Sequence, residues 1–319
     1  MSNGNNSNFQ DPLLSLASGG IAGALSRTAV SPMERVKVLF QIQGAGSARS
    51  YEKGTLSTVW QIWKDEGYRG LFRGNGVNCI RIVPYTAIQY TIYEKLKKSI
   101  TKGKRDLSTF EKLGCGLTGG VASVAGTYPM DLVKTRLSIL TAARLKNTSG
   151  KGMLMSAPLK KNGVVDLSMW GNLKHIYYKE GGFKGLYRGF VPTSMGVAPY
   201  VAFNFCIYEQ LKESAQFYIP EYSKHTILML SIGALSGGIA QSLVYPFDIL
   251  RRRFQVASMN HGSLGFQYSG VWDAIKTIIM KEGVKGLYKG WVANMWKIMP
   301  SMAVQWSTYD LIRNWLQLF

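Results

Sequence analysis

The sequence predicts an all-α membrane protein: six transmembrane helices in three pseudo-symmetric two-helix repeats around a central polar cavity, with short helices on the membrane surface. Three observations predict it. A Pro-x-acid-x-x-base unit occurs three times, as Pro32/Glu34/Lys37, Pro129/Asp131/Lys134 and Pro246/Asp248/Arg251. Each copy ends a glycine-rich apolar stretch and is followed by the same two further markers in the same order. None of the apolar stretches is a clean run of about 20 apolar residues, so the charges within them are expected to face a bundle interior and not lipid.

The markers set the order of elements. The second marker runs from Glu66-Gly67 to Phe72-Arg73-Gly74, from Glu180-Gly181 to Tyr187-Arg188-Gly189, and from Glu282-Gly283 to Tyr288-Lys289-Gly290, with one extra residue in the middle copy. The third is Tyr93-Glu94-x-x-Lys97, Tyr208-Glu209-x-x-Lys212 and Tyr309-Asp310-x-x-Arg313. The units they define span 1–105, 106–219 and 220–319. The three prolines lie 97 and 117 residues apart, and a basic loop over about 141–166 accounts for the longer interval.

Repeat one shows the plan. An apolar helix runs from Leu13 to Gln43, bent at Pro32 because proline removes an intrahelical hydrogen bond. Gly19 and Gly23 precede that proline by 13 and 9 residues, as Gly116 and Gly120, and Gly233 and Gly237, precede theirs. Such small-xxx-small pairs let helices approach closely in lipid. An amphipathic segment follows, Leu56 to Glu66, with Val59, Ile62 and Trp63 on one face, suited to the membrane surface. A second long helix, Asn75 to Lys98, closes the unit. The later surface segments are Trp170–Lys179 and Trp272–Lys281. Two spans per repeat put both termini on one side.

With 38 basic against 18 acidic residues, the net charge of +20 calls for an anionic partner: a polyanionic small molecule, lipid headgroups or nucleic acid. A basic nucleic-acid-binding protein should gather its cations on one face beside an RRM or helix-turn-helix motif, and the sequence has neither. Cys79, Cys115 and Cys206 are few and far apart, which excludes a disulfide framework or CxxC metal site. The three histidines are scattered, and no nucleophile–base constellation stands out, so a transporter is expected and not an enzyme. The first dozen residues hold no Lys or Arg and match no secretory or transit signal.

Counting back from the closing tyrosines exposes one stripe on each even-numbered helix. Twelve residues before them stand Arg81, Gly196 and Lys297; eight before, Tyr85, Tyr200 and Ser301; four before, Gln89, Asn204 and Gln305. Steps of four keep these on one helical face, either a polar packing seam or a shared cavity wall. As a cavity wall it offers cations at Arg81 and Lys297, with Arg27 from an odd helix. The Gly196-Val197 pair offers an apolar notch. Cations opposite such a notch suit a nucleotide: charge-assisted bonds hold phosphate or sulfate, and Tyr85 or Tyr200 stacks on the base.

These triplicated motifs resemble the mitochondrial carrier family across nearly the whole chain. The resemblance implies a multi-pass inner-membrane antiporter working by alternating access as a monomer, with both termini towards the intermembrane space. It implies a matrix-side network of Glu34, Lys37, Asp131, Lys134, Asp248 and Arg251, with glutamine braces at Gln41 and Gln255 and none at Ser138. It implies a cytoplasmic-side network of Glu94, Lys97, Glu209, Lys212, Asp310 and Arg313. It also implies structural cardiolipin where surface helices start, near Gly74, Gly189 and Gly290, with no other cofactor and no metal. The motif lacks a second base at Leu39, a place filled by Arg136 and Arg253 in the other repeats. Within the family, the substrate-binding set would be Arg27, Arg81, Tyr85, Gly196, Val197, Tyr200, Asn204 and Lys297. The stretches Arg73–Pro84, Gly185–Gly189 and Tyr245–Val256 are most similar to fungal carriers of adenosine 5′-phosphosulfate and 3′-phospho-adenosine 5′-phosphosulfate. Carriers of coenzyme A with adenosine 3′,5′-diphosphate, and of thiamine pyrophosphate, share the same features and stay open as alternatives.

Overall fold

A computed structural model describes residues 20–43, 54–101, 107–148, 168–218, 226–257 and 268–298, together with 300, 301, 304 and 308. Among them there is no strand. Repeat one comprises α1 (20–29), α2 (Ser31–Gln41), α3 (Thr55–Glu66), α4 (Tyr68–Leu71) and α5 (Asn75–Thr101). Repeat two has α6 (Thr109–Thr148), α7 (Met169–Lys179), α8 (Phe183–Leu186) and α9 (Phe190–Tyr218). Repeat three has α10 (Thr226–Ala257), α11 (Val271–Glu282), a 3₁₀ turn (Val284–Tyr288) and α12 (291–298).

The three prolines act differently. Pro129 and Pro246 lie inside continuous α6 and α10. In repeat one the chain turns at Val30, and Pro32 opens a new helix, α2. The expected bent helix is therefore split in two. Proline is tolerated in a first helical turn, where its missing N–H would have no partner anyway. The basic loop placed at 141–166 starts later than expected, since α6 continues to Thr148; its remainder lies outside the described residues.

The surface helices form over the expected segments and turn alike. Thr58 and Ile62, Asn172 and Ile176, and Ala274 and Ile278 are the buried residues of α3, α7 and α11, each pair four residues apart. Trp63, placed with Val59 and Ile62 on one apolar face, is half exposed while Ile62 is buried, and it meets Trp60 edge-on at 5.0 Å. The extra residue of repeat two is absorbed by Gly181 and Gly182, both at positive φ.

Buried apolar side chains collect at the end of the bundle that carries the Pro-motifs. Val38, Val77, Leu132, Val133, Leu137, Ile176 and Val256 form one cluster there, drawn from all three repeats. The outward faces stay apolar and uncovered, as Leu235, Ile239 and Leu243 on α10 show, spaced by four and 40–53% exposed. That is the surface a helix presents to lipid. By length and apolar composition, two stretches pass for membrane spans unaided, Phe183–Tyr218 and Leu228–Ala257. Of the paired glycines among the described residues, Gly23, Gly120 and Gly237 contact Ile82, Val197 and Asn204, while Gly116 and Gly233 face open space; Gly19 lies outside those residues. The close approach falls instead at Gly119, where an added Cβ would lie 3.1 Å from the Gln89 carbonyl of α5.

Candidate functional site

The Pro-motif end is closed by a ring of three ion pairs. Lys134 Nζ lies 2.7 Å from Glu34 Oε1, Lys37 Nζ lies 2.9 Å from Asp248 Oδ2, and Arg251 pairs with Asp131. Each repeat's acid thus takes the base of the next repeat, so all three repeats are tied in one cycle. Gln41 Nε2 donates to Tyr245 Oη at 3.1 Å beneath the Lys37–Asp248 pair. Gln255 Nε2 donates to Asp131 Oδ2 at 2.9 Å and Tyr128 Oη at 3.3 Å beneath the second seam. At Ser138, where the third glutamine is missing, the hydroxyl bonds the Lys134 carbonyl at 2.9 Å.

Beneath this ring lies a second basic layer. Arg136 and Arg253 each grip a surface-helix carboxylate with two nitrogens, Glu180 at 2.5 and 2.8 Å and Glu282 at 2.6 and 2.7 Å. Repeat one has no base at Leu39, yet Glu66 is paired all the same: Arg35, one turn earlier, reaches it at 2.8 Å. Arg252, buried, bonds Thr135 and Gln255 and adds a third cation beside Asp131.

Above the ring is a cavity of about 350 Å³, walled by α5, α6, α9 and α10. Of the stripe on the even helices, Arg81, Tyr85, Gln89, Gly196 and Tyr200 line it, with Val197 beside Gly196. Arg81 is not a free cation. It pairs with Asp131, donates to Thr127 Oγ1 at 3.3 Å and stands 5.5 Å from the Tyr85 ring centre. Gly196 is no open notch, because a Cβ there would come 3.1 Å from the Cβ of Phe247. The aromatic surface at that wall is Phe247 itself, hidden in the sequence inside the Pro-motif. Gln241, also lining the cavity, donates to Asp248 at 2.9 Å.

The remaining members of the expected binding set lie elsewhere. Arg27 and Lys297 turn towards Glu34: Arg27 donates to Asn78 at 3.1 Å, and Lys297 Nζ is 3.8 Å from Glu34 Oε1. Asn204 accepts a hydrogen bond from Ser236 at 3.1 Å. The three cations therefore separate into Arg81 at Asp131 and a pair at Glu34. An unpaired cation inside a bundle is costly, so each seeks the nearest carboxylate. Sequence spacing could not show this, because the carboxylates come from other helices.

Of the opposite network, Glu94 and Lys97 stand on α5 and Glu209 and Lys212 on α9, and no ion pair joins them among the described residues. Asp310 and Arg313 lie outside those residues. Gly74, Gly189 and Gly290 occupy equivalent joints just before α5, α9 and α12, at φ of 79, 89 and 82°. A Cβ on each would lie 3.0–3.1 Å from the backbone carbonyl of the next repeat's ring base, Lys134, Arg251 and Lys37 in turn.

An all-helical chain in three repeats, an ion-pair ring closing one end and a cavity above it define a membrane solute carrier. A profile described as mitochondrial carrier protein matches residues 9–104, 105–218 and 222–318. The chain belongs to the mitochondrial carrier family, a family of transporters of the mitochondrial inner membrane. It is 48% identical to an uncharacterized mitochondrial carrier of Saccharomyces cerevisiae, with 96% of this chain and 94% of the relative covered. It is 34% identical to a mitochondrial adenine nucleotide transporter of Arabidopsis thaliana, over 96% of this chain and 88% of that one. To a mitochondrial coenzyme A transporter of Homo sapiens it is 33% identical, over 94% and 87%.

Proposed function

We propose that the protein exchanges anionic adenine nucleotides across the inner membrane, adenosine 5′-phosphosulfate and 3′-phospho-adenosine 5′-phosphosulfate being the preferred pair. The observation that carries this reading is the cavity, where Arg81 stands opposite an apolar wall of Phe247, Val197 and Tyr200. Its volume falls at the lower end of the range for small-molecule sites. The substrate's phosphate or sulfate bonds Arg81, and the base lies between Tyr200 and Phe247. Arg27 and Lys297 hold a second anionic group.

The ring then serves as the matrix gate and Glu94, Lys97, Glu209, Lys212, Asp310 and Arg313 as its cytoplasmic counterpart, with both termini towards the intermembrane space. Ion pairs of this kind contribute about 0–1 kcal/mol each when exposed, and burial adds a desolvation cost. Three of them close the ring by only a few kcal/mol, within reach of several charge-assisted contacts of about 1.5–3 kcal/mol. An anion that draws Arg81 off Asp131 and Lys297 off Glu34 takes a neighbouring cation from two of the three ring acids at once. The carrier works as a monomer, with no part for nucleic acid, and cardiolipin phosphates bind the helix N-termini after Gly74, Gly189 and Gly290.

Proteoliposome uptake tests the substrate. The expected result is exchange of labelled phosphosulfates and adenine nucleotides, with slow or no exchange of coenzyme A. Exchange of coenzyme A and adenosine 3′,5′-diphosphate without the phosphosulfates overturns the reading in favour of a coenzyme A carrier, which the human relative's name favours.

A further inference from the structure

We propose that Asn78 is the latch of the seam between repeats one and two, replacing the glutamine brace that this seam lacks. The inference rests on the reading that the ion-pair ring opens and closes during transport. Two seams are braced alike: a glutamine one turn beyond the base reaches the partner repeat's tyrosine, Gln41 to Tyr245 and Gln255 to Tyr128. Both tyrosines in turn donate to a backbone carbonyl of their own repeat, Tyr245 to Lys289 at 2.9 Å and Tyr128 to Arg188 at 2.8 Å.

In the first seam both residues are gone. Ser31 stands in the tyrosine's place and Ser138 in the glutamine's. Ser138 Oγ takes over the tyrosine's position, 3.4 Å from the matching carbonyl of Arg73. Gly74 confirms the substitution: its missing Cβ would lie 2.9 Å from Ser138 Oγ, as that of Gly189 would lie 2.8 Å from Tyr128 Oη. This leaves the Lys134–Glu34 pair with no support from below.

Asn78, 1% exposed, supplies that support from the side. Its Oδ1 accepts from Lys134 Nζ at 2.9 Å and from Arg27 at 3.1 Å, while Nδ2 reaches Glu34 Oε2 at 3.4 Å. It touches acid and base of the same pair, as Gln255 bonds the ring acid Asp131. The equivalent residue of repeat three provides an internal control. Asn294 stands at the seam that already has Gln41, and its buried Nδ2 has no hydrogen-bond partner. The same residue type is thus engaged where the glutamine is absent and idle where it is present. Asn78 also links the ring to Arg27, so an anion arriving at Arg27 is felt at the pair through one side chain. Asn78 is a positioning residue: it acts through Lys134 and Glu34.

The test compares purified variants in detergent, without substrate, so that failure of the nucleotide reading leaves it intact. Asn78→Ala is expected to lower the thermal midpoint by about 2–4 °C, and Asn294→Ala to leave it within error. In a Lys134→Ala background, Asn78→Ala should add no further loss, and Ser138→Gln should restore much of what Asn78→Ala removes. A gate readout accompanies these. With Cys79, Cys115 and Cys206 replaced by serine, a Ser138→Cys thiol should react severalfold faster with an impermeant maleimide once Asn78 is alanine. Additive losses from Asn78→Ala and Lys134→Ala, or an unchanged labelling rate, overturn the proposal, as does an equal loss from Asn294→Ala.

Discussion

Arg35 and Glu66 form a buried ion pair whose cation comes from a different helical position than in the other two repeats. Their side chains are 1% and 4% exposed, and Arg35 also donates to the Ser138 carbonyl at 3.1 Å and to Gly70. The corresponding residues of repeats two and three are Leu132 and Ile249, with Arg136 and Arg253 one turn later. Replacing Arg35 by leucine leaves Glu66 buried and unpaired, a loss of about 3–5 kcal/mol. The exchange Arg35→Leu with Leu39→Arg copies the repeat-two arrangement and should recover part of that. Thermal unfolding of both variants checks it; no recovery would mean that the Ser138 and Gly70 contacts, and not Glu66, are what Arg35 serves.

Arg81 joins the cavity to the ring. Arg81→Ala should lower exchange about ten- to a hundredfold, the worth of one charge-assisted bond, and Arg81→Lys should fall between. The fold should survive, since Asp131 keeps Arg251 and the Gln255 bond at 2.9 Å. Uptake beside the thermal midpoint checks this, and near-normal uptake would exclude Arg81 from the binding set.

Markers recurring in register made the repeats, the surface helices and the ring readable, because each is a local pattern repeated three times. The stripe Arg81, Tyr85, Gly196, Tyr200 was readable for the same reason, since steps of four define a helical face. Three features were not. The partner of each cation depends on which helices meet at a seam. Phe247 fills the space beside Gly196 from another repeat, so the glycine reads as a gap only in isolation. The replacement of a tyrosine and a glutamine by Ser31, Ser138 and Asn78 breaks the threefold pattern, and a search for symmetry passes over such a place.

Gly189 and Gly54 separate two costs of losing a glycine. Both have positive φ, 89 and 91°, but only Gly189 is crowded, with Tyr128 Oη and the Arg251 carbonyl 2.8 and 3.1 Å from an added Cβ. Gly54→Ala should cost about 1–3 kcal/mol, the strain of an extended backbone at positive φ and ψ of 170° alone. Gly189→Ala should cost clearly more and speed opening of the second seam, since the Arg251 backbone must shift. Equal midpoints for the two variants would show that the joint yields without strain.

Glu282 gives the surface layer a pH dependence. Burial alone pushes its carboxyl up, but the hydrogen bonds from Arg253 and Lys289 outweigh burial and hold it below the ordinary glutamate value of 4.5. Its folded form therefore binds a proton less readily than the unfolded chain does. The pairing stabilises fully above the ordinary value and is lost as pH falls below it, through the depressed folded value. Glu282→Gln should be less stable than the parent at neutral pH, and the two should converge as the buffer is acidified below 4.5. Thermal midpoints across that range decide it: a constant gap between parent and variant would place the loss in packing and not in charge.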